Sequence, residues 1–334
     1  MCKMSNTMLS LRRLAEHIGH MPQDFLSLRK LLGHPSGPLK LSVRFAPFSI
    51  MTYNMALLVE PFYKGTDREG AIAEIVARIK ALAPDVVGLC EVFDDSERTK
   101  IRNELRDLYP YFQEGPDEPD WDEDGGLLLL SKHSILAADY TVFQDSDGFD
   151  YFANKGMIFI RIQPVSWPDT LNIFFSHTQD ISTNDGVNTL YSQLNAMNNF
   201  IAWPWRGQQH IIMGDLNIPG ENPQHYAQLL SRLGAPRDCW TLAGNQAASG
   251  HTFVIDNNFY EDSEDRPSNN QRLDYVLMKA GTHLVPMHIM TAGTYLVPML
   301  EDIKVLKFQR NGRFISDHFG VHASFDKIAL INYN

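Results

Sequence analysis

The sequence predicts an α/β (α+β) fold in which two β-sheets form the core and helices cover their outer faces. Short, largely apolar runs, such as residues 85–90 and 171–176, alternate along the chain with longer segments of helical periodicity. Strands that lack a polar face are buried on both sides, as happens when a sheet lies between a second sheet and a layer of helices. No segment repeats at a fixed period, which argues against a repeat architecture.

The individual elements follow from the apolar spacing and from the residues that interrupt it. Residues 68–83 are predicted as a helix because Ile72, Ile75 and Ile79 recur at helical spacing and Pro84 ends the pattern. The other predicted helices comprise residues 5–33, 186–202 and 222–233. The predicted strands comprise residues 49–53, 85–90, 126–130, 156–162, 171–176, 210–213, 273–278 and 319–325. Residues 116–124 and 256–271 are polar and are predicted as loops.

Residues 1–44 are predicted to form a basic N-terminal extension, largely helical, and residues 45–334 the main domain. The Gly- and Pro-rich segment 33–38 marks the break between them. The extension contains seven Lys or Arg and two acidic residues, a net charge of +5. Because the whole chain carries −11, the main domain carries −16. Such asymmetry is typical of a basic arm that meets an acidic partner or a membrane surface, although a solvated helical extension is the favoured explanation.

Net charge, cysteine content and the lack of long apolar runs disfavour several classes of protein. A net charge of −11 disfavours a protein that binds the nucleic-acid backbone, because such proteins need a basic face. Cys2, Cys90 and Cys239 have neither metal-ligand spacing nor the even number of a disulfide framework. There is no apolar run of 18 residues and no secretory signal pattern. We therefore expect a cytoplasmic or peripheral membrane location, with export by a non-classical route left open.

Most of the predicted strands are followed by a polar side chain that a strand end does not need. These side chains are Asn54, Glu91, His177, Asp215 with Asn217, Asp274, and Asp317 with His318. Strand ends commonly meet at one edge of a sheet, where a site can gather residues that are distant in sequence. Carboxylate and amide oxygens suit a hard cation, and two imidazoles beside them suit proton transfer at phosphate.

The same segments carry a resemblance to a known family. The segments are residues 52–54 (Thr-Tyr-Asn), 88–92 (Gly-Leu-Cys-Glu-Val), 176–179 (Ser-His-Thr-Gln), 213–217 (Met-Gly-Asp-Leu-Asn), 272–275 (Arg-Leu-Asp-Tyr) and 316–318 (Ser-Asp-His). Their order resembles that of the endonuclease/exonuclease/phosphatase, or deoxyribonuclease I-like, superfamily over residues 49–325. The resemblance implies a four-layer sandwich of two packed mixed β-sheets flanked by helices, with residues 45–334 as the catalytic domain.

Two further elements resemble the neutral sphingomyelinase branch of that superfamily. They are Asp-Gly-Gly at 124–126 and Asn-Lys-Gly at 154–156. The sequence departs from the superfamily in having Cys90 where glutamine usually precedes the metal-binding glutamate, and in a long segment between residues 275 and 316. Neither departure affects a residue that the chemistry requires.

The resemblance assigns roles to five of these side chains. It implies that Glu91, together with Asn54, holds Mg²⁺, with Mn²⁺ or Co²⁺ as alternative ions. Asp215 and His318 correspond to the residues that activate water for in-line attack on phosphorus. Asn217 corresponds to a hydrogen-bond donor to the phosphoryl oxygens as charge develops on them.

Two carboxylates are expected to orient the histidines. Asp274 is expected to accept the second ring N–H of His318 and fix its tautomer, and Asp124 to do the same for His177. Which histidine is the base and which the acid stays open at this stage.

The remaining assignments concern the substrate. Asp317 is grouped with the catalytic residues, and Asn154, Lys155 and Gln179 are expected to bind the substrate. The expected partner is a phospholipid at a membrane surface, with nucleic acid less favoured and no partner protein indicated. The apolar segment 283–300 and the basic extension are the candidate membrane contacts.

The sequence therefore predicts a Mg²⁺-dependent phosphodiesterase that hydrolyses sphingomyelin or a related phospholipid to ceramide and phosphocholine. The alternatives are a nuclease of the deoxyribonuclease or AP-endonuclease type and an inositol-phosphate phosphatase of the same fold. A lipid-binding module without activity is a further alternative, but it would not need all six motifs.

Overall fold

The apolar runs of the sequence form two β-sheets whose inner faces share one hydrophobic core. The computed structural model describes residues 39–44, 46–116, 124–148, 150, 153–165, 167, 170–182, 185–202, 208–260, 266–279 and 292–333. The helices within these ranges are α1 (Arg68–Leu82), α2 (Asp95–Leu105), α3 (Gly186–Ala202), α4 (Pro223–Arg232) and α5 (Cys239–Leu242). Among the described residues, no helix is long and apolar enough to span a membrane.

The strands are β1 (Leu39–Arg44), β2 (Phe48–Leu57), β3 (Val86–Val92), β4 (Tyr111–Glu114), β5 (Leu128–Ser131), β6 (Ile135–Val142), β7 (Gly156–Ile162), β8 (Leu171–His177), β9 (His210–Asp215), β10 (Arg237–Asp238), β11 (Asp274–Lys279), β12 (Ala292–Leu306), β13 (Gln309–Arg310), β14 (Arg313–Phe314) and β15 (Gly320–Tyr333). The first sheet has the order β1–β15–β2–β3–β5–β4, with β12 also paired to β15, and the second has the order β10–β11–β9–β8–β7–β6. Because β2 and β3 are parallel, as are β8 and β9, while their other neighbours are antiparallel, both sheets are mixed.

Successive side chains of the central strands enter different cores, as the two-residue period of a strand requires. In β8, Ile173 and Phe175 lie between the two sheets, whereas Phe174 packs in the outer core with residues of α3 and α4. In β3, Val86 lies between the sheets and Val87 packs in the core that contains the apolar face of α1. The molecule therefore has four layers, helix, sheet, sheet and helix, and the predicted fold is confirmed.

Helix α1 shows how the local sequence sets the bounds of an element. Asp67 caps the first turn, where its side chain accepts a hydrogen bond from the backbone N–H of Gly70. Ala83 takes a left-handed conformation with φ of 46° at the other end, and Pro84 follows it. The helix predicted at residues 68–83 is thus present.

The structure differs from the sequence prediction at residues 39–44. These residues form β1, which pairs antiparallel with the end of β15, so this part of the predicted helical extension is a strand of the first sheet. Residues 1–38, including the helix predicted at 5–33, lie outside the described residues. Of the predicted membrane-contacting segment 283–300, only residues 292–300 are described, as part of β12.

The second sheet requires glycine at position 214. Gly214 pairs with Ser176 across the parallel strands β8 and β9, and its φ is +138°, a value that side chains rarely adopt. A Cβ atom at this position would lie 1.8 Å from the carbonyl oxygen of Ser176. Because Gly214 immediately precedes Asp215, this close approach fixes where the end of β9 lies against the end of β8.

We expect Gly214→Ala to destabilise the fold by about 3 kcal/mol or more, because backbone strain and overpacking each cost roughly 1–3 kcal/mol. Gly244→Ala is the matched control, since Gly244 also has a positive φ, of 87°, but among the described residues no atom beyond its chain neighbours lies within 4 Å of its Cβ position. Urea unfolding followed by circular dichroism measures both variants. Equal losses of stability in the two would contradict the steric argument.

Candidate active site

The strand pairing brings the predicted site residues to one edge of the two sheets. In the second sheet, Asp215 lies opposite His177 on one side and opposite Asp274 on the other. In the first sheet, Asn54 lies opposite Cys90, which directly precedes Glu91. The carboxyl ends of β2, β3, β8 and β9 therefore meet the beginnings of β11 and β15.

The carboxylate of Asp215 lies at the centre of this cluster and is buried. Its Oδ2 accepts a hydrogen bond of 3.0 Å from Nδ2 of Asn54. The Nε2 atoms of His318 and His177 lie 3.6 Å and 3.8 Å from the same oxygen. Burial opposes ionisation, but the two histidines and the Asn54 hydrogen bond lower the pKa of Asp215 below its ordinary value. Asp215 is thus a buried carboxylate that faces both imidazoles.

His318 is held by the second carboxylate, as the sequence analysis expected. Its Nδ1 lies 2.8 Å from Oδ2 of Asp274, which leaves Nε2 to face Asp215. The ring also lies against that of Phe253, with centroids 4.9 Å apart. Burial alone would lower the pKa of His318, but Asp215 and Asp274 raise it well above its ordinary value. This environment stabilises the imidazolium form.

His177 has the opposite environment. Nζ of Lys155 lies 3.2 Å from its Nε2 and also donates to the carbonyl oxygen of Thr178 at 3.0 Å. Burial and the Lys155 ammonium lower the pKa of His177 to about 3, so the ring is neutral near pH 7. Lys155 is itself buried and forms an ion pair of 2.8 Å with Asp150.

The structure does not place Asp124 beside His177. Asp124 is bound instead to the guanidinium group of Arg98, and its Oδ1 accepts a hydrogen bond from the N–H of Gly126. Nδ1 of His177 has no hydrogen-bond partner among the described residues. Burial raises the pKa of Asp124 to about 6, although Arg98 opposes the shift. The expected pairing of Asp124 with His177 is therefore replaced by a pairing with Arg98.

Glu91 completes the acidic side of the cluster. Its Oε1 accepts a hydrogen bond of 3.0 Å from Nδ2 of Asn54 and lies 3.6 Å from Nε2 of His177. Burial, followed by repulsion from Asp317, raises the pKa of Glu91 to about 7. The backbone of Glu91 has a left-handed φ of 54°, and such strain in a residue other than glycine is typical of functional sites.

Asn54 was predicted as a metal ligand, but the atom that it turns toward the carboxylates is its amide nitrogen, Nδ2. Its Oδ1 accepts the backbone N–H of Ala56, and this contact fixes the orientation of the amide. Its Nδ2 therefore faces the carboxylates and donates to both Glu91 and Asp215. In this arrangement Asn54 holds two carboxylates together rather than offering an oxygen ligand to a cation.

Asn217 lies close to the cluster, with a left-handed φ of 48°. Its backbone N–H donates to Oδ1 of Asp215 and its side chain donates to the carbonyl oxygen of Thr178. Asp317 follows Ser316, and its Oδ2 accepts a 2.7 Å hydrogen bond from the hydroxyl group of Tyr260. Both residues thus lie at the site, each with a protein partner.

The two remaining residues that were assigned to substrate binding, Gln179 and Asn154, are buried. Gln179 is fully buried, and its side-chain amide bonds to backbone groups of Asp147 and Asp180. It therefore holds a loop rather than facing a substrate, which differs from the expected role. Asn154 is also buried, next to Lys155 in the chain.

Three residues at or next to the site were not predicted from the sequence: Arg98, Phe253 and Tyr260. The sequence does not indicate that Arg98 is buried, because Arg98 lies in a charged helix and its burial depends on the tertiary fold. Phe253 and Tyr260 lie in or near the polar segment 256–271, predicted as a loop. The Asn-Phe-Tyr triplet at residues 258–260 could have indicated an ordered loop, since aromatic side chains seldom occur in solvated segments.

The cluster fits a divalent cation. Asp215, Asp274 and His318 each offer a ligand atom, and these atoms all lie within 4.8 Å of one another. Oδ1 of Asp274 is buried and has no hydrogen-bond partner among the described residues. Such an oxygen is costly to leave unpaired, and a bound cation would compensate it.

Known proteins with similar sequences include two bacterial sphingomyelinases. Sphingomyelinase C 2 of Leptospira interrogans is 30% identical over 168 residues, which are 45% of this chain and 26% of that protein. Sphingomyelinase C of Listeria ivanovii is 26% identical over 255 residues, which are 70% of this chain and 73% of that protein. The chain thus spans about a quarter of the Leptospira relative and about three quarters of the Listeria relative.

Solved structures show the same fold. Sphingomyelinase C from Streptomyces griseocarneus has a TM-score of 0.62 at 22% identity and covers 84% of this chain and 99% of its own. A double mutant of Staphylococcus aureus beta toxin with bound magnesium ions has a TM-score of 0.61 at 20% identity, with 83% and 99% covered. D. rerio TDP2 complexed with a single-strand DNA product has a TM-score of 0.64 at 16% identity, with 84% and 99% covered.

These structural likenesses, all below 25% identity, concern the fold alone. The family is identified by sequence: residues 51–318 match the model of the Endonuclease/Exonuclease/phosphatase family, and this match includes every residue of the cluster from Asn54 to His318. The chain therefore belongs to the endonuclease/exonuclease/phosphatase family.

Proposed function

We propose that this chain is a Mg²⁺-dependent phosphodiesterase that hydrolyses sphingomyelin, or a related phospholipid, in the manner of a phospholipase C. Water attacks the phosphorus atom, the bond from phosphorus to the ceramide oxygen breaks, and a proton equivalent to the one lost by the water is taken up by that oxygen, so that phosphocholine and ceramide leave. The observation that carries the proposal is the position of His318, which is fixed by Asp274 through one ring nitrogen and faces Asp215 with the other.

This arrangement suits His318 as the general base. Asp274 orients the ring so that, when the imidazole is neutral, Nδ1 carries the proton and Nε2 would be free to accept one from water. The two carboxylates then stabilise the imidazolium that forms, as the raised pKa of His318 indicates. The imidazolium that forms when water loses its proton is thus stabilised by the carboxylates beside it.

The opposite side of the cluster suits the phosphoryl group. Nζ of Lys155 is a buried cation beside the neutral ring of His177. A positive charge held in a buried site stabilises the negative charge that develops on phosphoryl oxygens during attack. Glu91 and Asp215, which share the Nδ2 donor of Asn54, are the carboxylates that would hold Mg²⁺ in this proposal. Asp274 and His318, which also lie within ligand distance of Asp215, are paired with each other instead. When bound there, the ion would polarise a phosphoryl oxygen and favour departure of the alkoxide.

The choice of a lipid over a nucleic acid rests on charge and on the relatives. A main domain of −16 repels a polyanion, whereas a zwitterionic head group meets no such repulsion. The Listeria relative, which is similar over 70% of this chain, is named a sphingomyelinase. A nuclease remains the second candidate, because the fold is shared with TDP2. An inositol-phosphate phosphatase is less favoured, since residues 272–274 read Arg-Leu-Asp where that branch has Pro-x-Trp-Cys-Asp-Arg.

The proposed substrate requires the enzyme to work at a membrane surface. Peripheral contact through segment 283–300 and the basic residues 1–44 is part of the proposal, at ~1 kcal/mol for each Lys or Arg near an anionic surface. A cytoplasmic or membrane-peripheral location belongs to the same proposal.

A substrate panel tests the function directly. With Mg²⁺ present, the purified chain should release phosphocholine from sphingomyelin vesicles much faster than it nicks plasmid DNA or releases phosphate from inositol phosphates. Addition of EDTA should abolish the release, and renewed Mg²⁺ should restore it. Rapid cleavage of DNA without release of phosphocholine would instead support the nuclease.

Replacement of Glu91 tests the metal site. We expect Glu91→Gln, which keeps the size of the side chain but removes its charge, to weaken Mg²⁺ binding by at least ~10-fold. Isothermal titration calorimetry measures the affinity, and Glu104→Gln, at an exposed position of α2, is the matched control. Equal Mg²⁺ affinity in Glu91→Gln and the wild type would remove Glu91 from the ligand set.

A double-mutant cycle tests the pairing of His318 with Asp274. Loss of a positioned general base costs ~10²–10⁴-fold in rate, so His318→Ala should lower kcat by that factor. Asp274→Asn should also lower kcat, because it removes the carboxylate that orients the ring. If the two act as one unit, the double variant should be no slower than His318→Ala. Fully multiplicative losses would give Asp274 a separate role.

A further inference from the structure

Arg98 lies in helix α2 outside the cluster of the candidate active site, yet its side chain is only 4% exposed. A buried guanidinium group requires acceptors for its N–H donors, because an unpaired charge in the interior is strongly unfavourable. The identity of these acceptors therefore indicates what Arg98 does.

The acceptors come from the segment that directly follows Glu91. Nη1 of Arg98 donates to the carbonyl oxygens of Val92 at 2.6 Å and Phe93 at 3.0 Å. The same nitrogen donates at 2.9 Å to Oδ1 of Asp124, and Nη2 forms an ion pair with the other oxygen of that carboxylate. Nη2 is also paired with Asp95, whose carboxylate is exposed.

Asp124 extends these contacts to the segment that leads into β5. Its Oδ1 accepts the N–H of Gly126 at 2.8 Å, and the carbonyl oxygen of Gly126 accepts the N–H of Val92 at 3.0 Å. The backbone of Val92 is therefore held on both sides, by Arg98 at its carbonyl group and by Gly126 at its N–H group. Together these contacts fix the chain immediately after Glu91.

Glu91 needs such support because its backbone is strained. Its left-handed φ of 54° is unfavourable for a residue with a side chain and persists only where the surroundings enforce it. This conformation directs the carboxylate to Nδ2 of Asn54, which also donates to Asp215. Release of the Val92 and Phe93 carbonyl groups would allow the backbone to relax and the carboxylate of Glu91 to turn away.

We infer that Arg98 is a positioning residue that holds Glu91 in its metal-binding orientation through the backbone of Val92 and Phe93. The inference rests on the proposed function in that it takes Glu91 to bind Mg²⁺. It also gives the Asp-Gly-Gly element at 124–126 a role: Asp124 holds Arg98 instead of orienting a histidine. Arginine suits this position because its planar group reaches several acceptors at once, whereas a lysine ammonium has a single nitrogen.

The test compares Mg²⁺ binding in variants of α2. Arg98→Lys keeps the charge but cannot reach all of the acceptors, so we expect its Mg²⁺ dissociation constant to rise ~10–100-fold, the effect typical of residues that orient metal ligands. Arg102→Gln is the matched control, because Arg102 lies on the same helix but binds Glu114 and the ring of Phe112. Its affinity for Mg²⁺ should equal that of the wild type.

Calorimetry gives the affinity, and urea unfolding identifies the variants that fold. Asp124→Asn is a second variant that keeps an oxygen acceptor for Gly126 and Arg98, and a smaller loss of Mg²⁺ affinity is expected from it. The rate of hydrolysis of bis(p-nitrophenyl) phosphate by Arg98→Lys should also recover as the Mg²⁺ concentration rises, a change that a purely structural role would not produce.

Wild-type Mg²⁺ affinity in folded Arg98→Lys and Asp124→Asn, or no Mg²⁺ binding by the wild type, would overturn the positioning role. Failure of the wild type to hydrolyse sphingomyelin would overturn only the proposed substrate, since neither calorimetry nor the soluble phosphodiester depends on a lipid.

Discussion

The hydrogen bond from Asn54 to Asp215 joins the two sheets at the site, and the rest of the cluster depends on it. Asp215 is almost completely buried, and a buried carboxylate must be compensated by fixed partners. Asn54 supplies one donor from the first sheet, and the two histidines supply positive or polar atoms from the ends of β8 and β15. Since Asn54 also donates to Glu91, one amide group sets the position of carboxylates from both sheets.

The parts of this arrangement that depend on strand order could be predicted from the sequence. His177, Asp215 and Asp274 follow or begin buried apolar strands, and pairing of those strands places them together. The half-exposed strand β6 (Ile135–Val142) was not predicted, because its burial comes from packing rather than from an apolar run. Strand β1 (Leu39–Arg44) was not predicted either, since its partner β15 lies at the opposite end of the chain.

Contacts between side chains of elements that do not pair as strands could not be predicted from the sequence. Asp124 could be identified as a motif residue, but its partner Arg98 is on a helix whose position follows from the packing of the first sheet. Likewise, the amide of Asn54 is oriented by the N–H of Ala56, which depends on a left-handed turn with φ of 51° at Ala56. A sequence pattern indicates which residues are needed, whereas the fold decides which atom of each residue faces the site.

The same fold places the two histidines, whose acid and base roles the sequence left open, in different environments. His177 and His318 both face Asp215, but Lys155 lies against the first and Asp274 against the second. Burial and a cation keep His177 neutral, whereas two carboxylates favour a proton on His318, so their pKa values move in opposite directions. Under the proposed function, acceptance of the proton from water is assigned to His318. Positive charge on the other side of the cluster comes from Lys155. In the proposed function, the phosphate group of the substrate would therefore have His318 as the base on one side and this fixed cation on the other.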